Sequence, residues 1–167
     1  MQYTKPDGVA NKVIHEARIV LEQMRNPPVF LMVRRRVGKE CPECWNKLTK
    51  KVKFANCKVC SGTGLITGYH SPIKINISRD ISYLVDSSNL MDGDHVTQTK
   101  VSAWIGNNPV VSPGDVIVDA LNQRFNIDQV AYRTRSQYII RQVLQLTPLE
   151  KGHPAYLMEV DRGELLA

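Results

Sequence analysis

The spacing of apolar residues changes period along the chain, and each change marks an element. Between Val9 and Met24 the apolar positions are Ala10, Val13, Ile14, Ala17, Val20, Leu21 and Met24. At 3.6 residues per turn these fall on one face and predict an amphipathic helix. Asp7 stands where an N-cap belongs, and Asn26-Pro27-Pro28 ends the helix, because proline has no N–H to continue the ladder. "VFLMVRRRV" (29–37) then reads as a strand, and "SPIKINI" (71–77) alternates as a strand does. Five more short β-branched or aromatic runs follow: 101–106, 115–120, 124–130, 137–146 and 155–160, with turn residues such as "NNP", "SPGD", "LNQ" and "KGHP" between them. Residues 80–100 are polar, interrupted and aperiodic, which predicts a long loop. The fold class expected is mainly β: an N-terminal helix in 1–28, and a small antiparallel β-barrel made of 29–40 and 71–167. Residues 41–70 interrupt that barrel as an insert.

The chain has 167 residues, 43% hydrophobic and 23% charged, enough for one ordinary core and a small appendage. Its first residues lack the charged-then-apolar order of a secretory signal, and no stretch approaches the roughly eighteen apolar residues that cross a bilayer. A reducing, cytosol-like compartment is therefore expected. There paired cysteines bind metal or do redox chemistry more often than they form structural disulfides.

All four cysteines lie in the insert, as Cys41-Pro42-Glu43-Cys44 and Cys57-Lys58-Val59-Cys60. Two Cys-x-x-Cys knuckles separated by a short loop can face each other and close a tetrahedron of sulfurs, so one Zn2+ per chain, held by Cys41, Cys44, Cys57 and Cys60, is expected. A thioredoxin-type site needs one pair at a helix start after a strand, and neither pair has that setting. Thiolates also suit iron, which leaves the metal less determined than the site. Gly62 and Gly64 follow Cys60, where positive φ turns backbone N–H groups toward the thiolates.

The insert and its approach are basic. Residues 31–60 hold nine Lys or Arg against Glu40 and Glu43, a formal +7 where the whole chain carries +6. Part of that charge offsets the net charge of about −2 on a four-thiolate Zn2+ centre, and the plain alternative is a solvated basic face. The same charge is also the footprint of a phosphate-binding surface. Arg34, Arg35, Arg36, Lys47, Lys50, Lys51 and Lys53 are the candidate contacts to DNA or an acidic partner.

Catalytic signatures are lacking. His15, His70, His95 and His153 are scattered, with no HExxH pairing, no GxSxG elbow and no phosphate-cradling glycine loop. Asp92, Asp94 and His95 form the densest polar cluster but lack the remaining ligands of a calcium loop. Asp115 reads as a turn residue at a strand start. A non-enzymatic protein is expected.

The segments "CPECW…CKVCSGTGLITGYHSPI", "VVSPGDVIVDALNQRFNIDQV" and "IIRQVLQLTPLEKGHPAYLMEV" resemble virion structural proteins of tailed bacteriophages, of the neck or head-closure type. The positions that carry the likeness are Pro113, Gly114, Asp115, Ile117, Asp119, Arg124, Phe125, Ile127, Arg141, Gln142, Leu144 and Leu146. The resemblance implies a cysteine finger ahead of a small β-barrel, with the stretches that hold these positions as barrel strands. It also implies a homo-oligomeric ring that joins or seals the portal end of the head to the tail. Its partners would be portal or adaptor and tail proteins, with packaged DNA in reach and no membrane. It would be found in the virion neck, and in host cytoplasm during assembly. "CKVCSGTG" also resembles one unit of the cysteine-rich region of DnaJ-type chaperones, which repeat the unit several times where this chain has it once. The alternatives are a zinc-ribbon nucleic-acid-binding protein, a tail or baseplate component, and a chaperone-like or redox factor.

Overall fold

The computed structural model describes residues 8–24, 26, 28–80 and 101–160. They comprise one helix, α1 (Gly8–Gln23), and nine strands: β1 (Val29–Met32), β2 (Trp45–Asn46), β3 (Lys51–Val52), β4 (Ile73–Ile75), β5 (Ile77–Asp80), β6 (Val101–Ile105), β7 (Val116–Val118), β8 (Arg124–Arg135) and β9 (Tyr138–Pro148). A 3-10 turn, Pro154–Leu157, follows. The class is mainly β with one N-terminal helix, as the periodicity implies. The expected Asp7 cap, most of the expected 80–100 loop and the Asp92, Asp94, His95 cluster lie outside the described residues.

Seven strands form one antiparallel sheet in the order β4-β1-β7-β8-β9-β6-β5. Its two edge strands, β4 and β5, are separated in the chain only by Asn76. A flat sheet would hold its edges some 30 Å apart at the usual strand spacing, so the sheet curls until they meet. No ladder among the described residues joins them, and the result is a curled open sheet with a barrel's curvature.

The non-alternating "VFLM" of β1 is buried throughout, because the curled sheet encloses one face and Tyr69 with Leu149, Met158 and Val160 covers the other. Val29 and Leu31 enter the main core with Ile77, Ile105, Ile117, Ile127 and Leu144, while Phe30 and Met32 enter a second cluster with Tyr69, Val116 and Val118. A strand covered on both faces gains nothing from polar alternation. Helix α1 lies against β9 and buries Ala10 and Leu21.

Four departures from the sequence reading have local causes. Strand character in 29–37 stops at Met32 and gives way to a stem of isolated pairings, Arg34 with Tyr69 and Glu40 with Leu65. The alternating 71–77 segment is two strands on opposite edges, with Asn76 at the corner. The third and fourth runs are one long hairpin, since β8 continues to Arg135 through exposed positions that show no apolar period. Residues 155–160 do not form a strand. Pro154 starts the 3-10 turn there, with His153 Nδ1 accepting the Ala155 N–H at 3.1 Å.

Four polar residues of the resembling segments, Asp115, Asp119, Arg124 and Gln142, are buried ties. Asp115 Oδ1 accepts the Arg34 backbone N–H and Oδ2 accepts that of Ser112, both at 2.8 Å. The Asp115 N–H returns to the Ser112 carbonyl at 3.1 Å around Pro113 and Gly114, which makes a type II turn. Asp119 Oδ1 accepts from Leu121 and Gln123, closing the β7–β8 loop. Arg124 donates to the carbonyls of Ala155 and Met158 and lies 5.0 Å from the Tyr156 ring centroid, pinning the C-terminal turn. Gln142 accepts from Val111 and donates to Gly106 and Pro109, pinning residues 106–111 to β9.

Candidate metal centre

The finger is too small to bury an apolar core: its buried cluster is the four cysteines themselves, with Val52 packed against them. Local backbone geometry brings the cysteines together. Cys41 begins the first knuckle, its N–H donating to the Gly64 carbonyl at 2.8 Å, and its own carbonyl accepts from Trp45. Strands β2 and β3 pair Trp45 with Val52, and Asn46 Oδ1 accepts the N–H groups of Leu48 and Thr49 to fold the hairpin tip. The Lys53 N–H then reaches the Cys44 carbonyl at 2.8 Å.

The second knuckle closes through its glycines. The Gly62 N–H donates to the Cys57 carbonyl at 3.2 Å, and the Gly64 N–H donates to Cys60 Sγ at 3.3 Å. Both take the positive φ expected of them, +76° and +84°. Gly62 also lies against backbone, where a Cβ would stand 2.3 Å from the Ala55 carbonyl oxygen.

The four Sγ atoms lie within 4.8 Å of one another, with Cys41 to Cys57 at 3.7 Å and Cys44 to Cys60 at 3.3 Å. Those separations are too long for disulfides, whose S–S bond is about 2.0 Å. A tetrahedron with metal–sulfur bonds of about 2.3 Å has S···S edges of about 3.8 Å, which the observed spread brackets. The spacing of the four sulfurs therefore suits a single metal ion. No other group of three or more His, Cys, Asp or Glu side chains converges in this way among the described residues.

Electrostatics point the same way. Burial pushes the Cys44 and Cys57 thiols up. At Cys41 burial acts in that direction too, but the backbone N–H groups of Cys44 and Glu43 outweigh it and bring the thiol down to about 7. Four neighbouring buried sulfurs cannot all ionise without a cation, and a bound metal ion supplies that charge.

The basic residues divide into two sets. Arg34 and Arg35 are half-buried and fasten the finger: Arg34 donates to the Thr63 carbonyl and Arg35 to that of Tyr69, each at 3.2 Å. Exposed Arg36 reaches the Pro113 carbonyl at 3.3 Å. Lys47, Lys50, Lys51 and Lys53 are exposed on and beside the β2–β3 hairpin.

Residues missed in the sequence complete the junction. Thr63 is buried and its hydroxyl donates to the Cys60 carbonyl at 2.7 Å; its place between two glycines after a knuckle was the signal. Asp115 lies in a turn, as expected, but its role is the long-range tie to Arg34. His15 and His70 are exposed, and His153 caps the C-terminal turn. No helix among the described residues is long and apolar enough to cross a membrane. Comparison with protein-family models, curated proteins and solved structures finds no match to this chain.

Proposed function

We propose that this chain is a non-enzymatic structural subunit of a tailed-phage virion, forming a homo-oligomeric ring at the neck between portal and tail, with one Zn2+ in its finger. The observation that carries the reading is the use made of the polar residues in the resembling segments. Asp115, Asp119, Arg124 and Gln142 are all buried and all fasten loops to the curled sheet. Residues spent on holding loops rigid suit a building block whose loops meet neighbours. A heterologous ring requires two different faces per subunit, and the helix-covered face and the finger are two such surfaces. A closed four-cysteine structural site suits Zn2+; iron suits the same ligands, and elemental analysis decides between them.

Electron microscopy of particles from an infection with the gene deleted tests the reading. Filled heads that leak DNA or lack tails are expected, and normal infectious particles without this chain would refute it. A second reading, a zinc-ribbon nucleic-acid-binding protein, is favoured by the exposed lysines Lys47, Lys50, Lys51 and Lys53. It predicts steeply salt-dependent binding that is lost when those lysines are neutralised.

A further inference from the structure

The β8–β9 hairpin outruns the sheet. Strand β7 pairs with β8 only as far as Asn126, and β6 pairs with β9 no nearer the turn than Gln142. Residues 133–141 are thus a two-stranded ribbon with no third strand among the described residues. It turns at Ser136 and Gln137, whose φ values of +48° and +70° make a two-residue turn between the paired Arg135 and Tyr138. Residues 131–137 are exposed.

The ribbon's charge is one-sided. From Gln129 to Leu149 the charged residues are Arg133, Arg135 and Arg141, with no Asp or Glu. Arg133 stands directly opposite Arg141 on the same face, an arrangement that repels. Among the described residues neither Arg133 nor Arg135 has an acidic partner. Arg141 is held in place, its guanidinium 5.4 Å from the Trp104 ring centroid. Arg133 and Arg135 thus bring like charge to the ribbon's tip with no acidic partner among the described residues, an arrangement that suits an external anion.

We propose that this ribbon is a DNA-binding element, in which Arg133, Arg135 and Arg141 contact the phosphates of double-stranded DNA. A two-stranded ribbon fits the width of a DNA groove. Arginine's planar fork matches phosphate oxygens in a way lysine's point charge does not. Ser136 and Gln137 at the tip add hydrogen-bonding side chains of the kind that reach DNA backbones. The exposed tip carries one large apolar side chain, Tyr132, whose hydroxyl is engaged with the Val111 carbonyl, and an acidic protein surface is the competing partner that the polyglutamate arm below distinguishes. The inference rests on the hairpin alone and holds whether or not the neck reading does.

The test is fluorescence anisotropy of a labelled mixed-sequence duplex with the full, metal-loaded chain over a range of salt. Each phosphate contact contributes a slope of about −0.9 in log affinity against log salt, or about eightfold at roughly 0.1 M salt. Arg133→Gln with Arg135→Gln is therefore expected to weaken binding by about sixtyfold and to flatten the slope by about 1.8. Melting of Arg133→Gln should stay level or rise, because a repulsive pair is relieved; a purely structural arginine would lower it. The proposal is overturned if the duplex does not bind at low salt. It is equally overturned if the double variant binds like the parent while neutralising the finger lysines abolishes binding, or if polyglutamate binds with the same affinity and arginine dependence as DNA.

Discussion

Asp115 accepts the backbone N–H of Arg34 across 81 residues of sequence at 2.8 Å, and the guanidinium of that same Arg34 reaches the Thr63 carbonyl at 3.2 Å. One carboxylate thus sets where the chain leaves the sheet, and the arginine it holds sets where the second knuckle sits. Asp115→Ala would leave the Arg34 and Ser112 N–H groups without acceptors. At about 1–3 kcal/mol for each orphaned donor, less what water recovers, the loss should be about 2–4 kcal/mol. For a chain of this size that lowers the melting temperature by about 5–15 °C. Asp115→Asn keeps one acceptor and should fall between. A melting curve for Asp115→Ala that matches the parent would show that the tie contributes nothing.

The finger's stability should reside in its metal. Four cysteines and Val52 cannot hold a fold of this size by burial alone, so metal binding energy is local folding energy. Elemental analysis should find about one zinc per chain. Chelation, or Cys57→Ser, should expose the remaining thiols to a titrant and melt the finger while the seven-stranded sheet keeps its β circular dichroism signal. Loss of the sheet signal together with the metal would mean that the two parts fold as one unit.

How much of this was legible depends on whether a residue's role is set by its neighbours in sequence. Helix α1 was readable because its apolar residues face one surface, and the cysteine cluster because a metal dictates knuckle spacing. The far half of β8 was not, since Ala131 to Arg135 are exposed and leave no period to detect. Nor was the 155–160 turn, where an apolar run looks like a strand until Arg124, some thirty residues earlier, claims the carbonyls of Ala155 and Met158. Asp115, Asp119 and Gln142 share that opacity: a buried acceptor is defined by donors that only the folded chain brings near.

Acid should loosen the C-terminal turn. His153 Nδ1 accepts the Ala155 N–H, which requires the neutral ring, and burial lowers its pKa below the ordinary 6.5. Between the lowered value and 6.5 the unfolded chain binds more protons than the folded one, so stability rises with pH across that window. The contribution is complete above about 6.5 and declines as pH falls through that value. His153→Asn retains a capping oxygen without a titrating group. The drop in melting temperature from about pH 7.5 to about pH 5.5 should therefore be smaller in that variant than in the parent; an equal drop would exclude His153 as its source.

Gln142 is fully buried and makes three hydrogen bonds, accepting from Val111 at 2.9 Å and donating to Gly106 at 2.9 Å and Pro109 at 2.8 Å. Gln142→Leu keeps much of the volume but strands three backbone groups, and should cost about 2–5 kcal/mol by denaturant unfolding. The amides of residues 106–111 should gain hydrogen-exchange rates more than those of β1, because the lost bonds are theirs. Uniform acceleration across the sheet would show instead that Gln142 serves the core as a whole.

The backbone of the second knuckle should matter to metal binding apart from the four sulfurs. Gly62 has φ +76°, donates its N–H to the Cys57 carbonyl at 3.2 Å, and leaves no room for a side chain, since a Cβ would meet the Ala55 carbonyl oxygen at 2.3 Å. Gly62→Ala retains all four sulfurs yet forces either Ala55 or the knuckle to move. Metal affinity depends on such supporting geometry to the extent of about ten- to a hundredfold, and a loss in that range is expected against a competing chromophoric chelator. Sheet stability should stay unchanged. Gly152→Ala is the control, because nothing lies within 4 Å of its added Cβ and its φ lies outside the left-handed region; it should bind metal like the parent. Equal affinity in Gly62→Ala and Gly152→Ala would mean that the knuckle closes around the metal without the contact between Gly62 and Ala55.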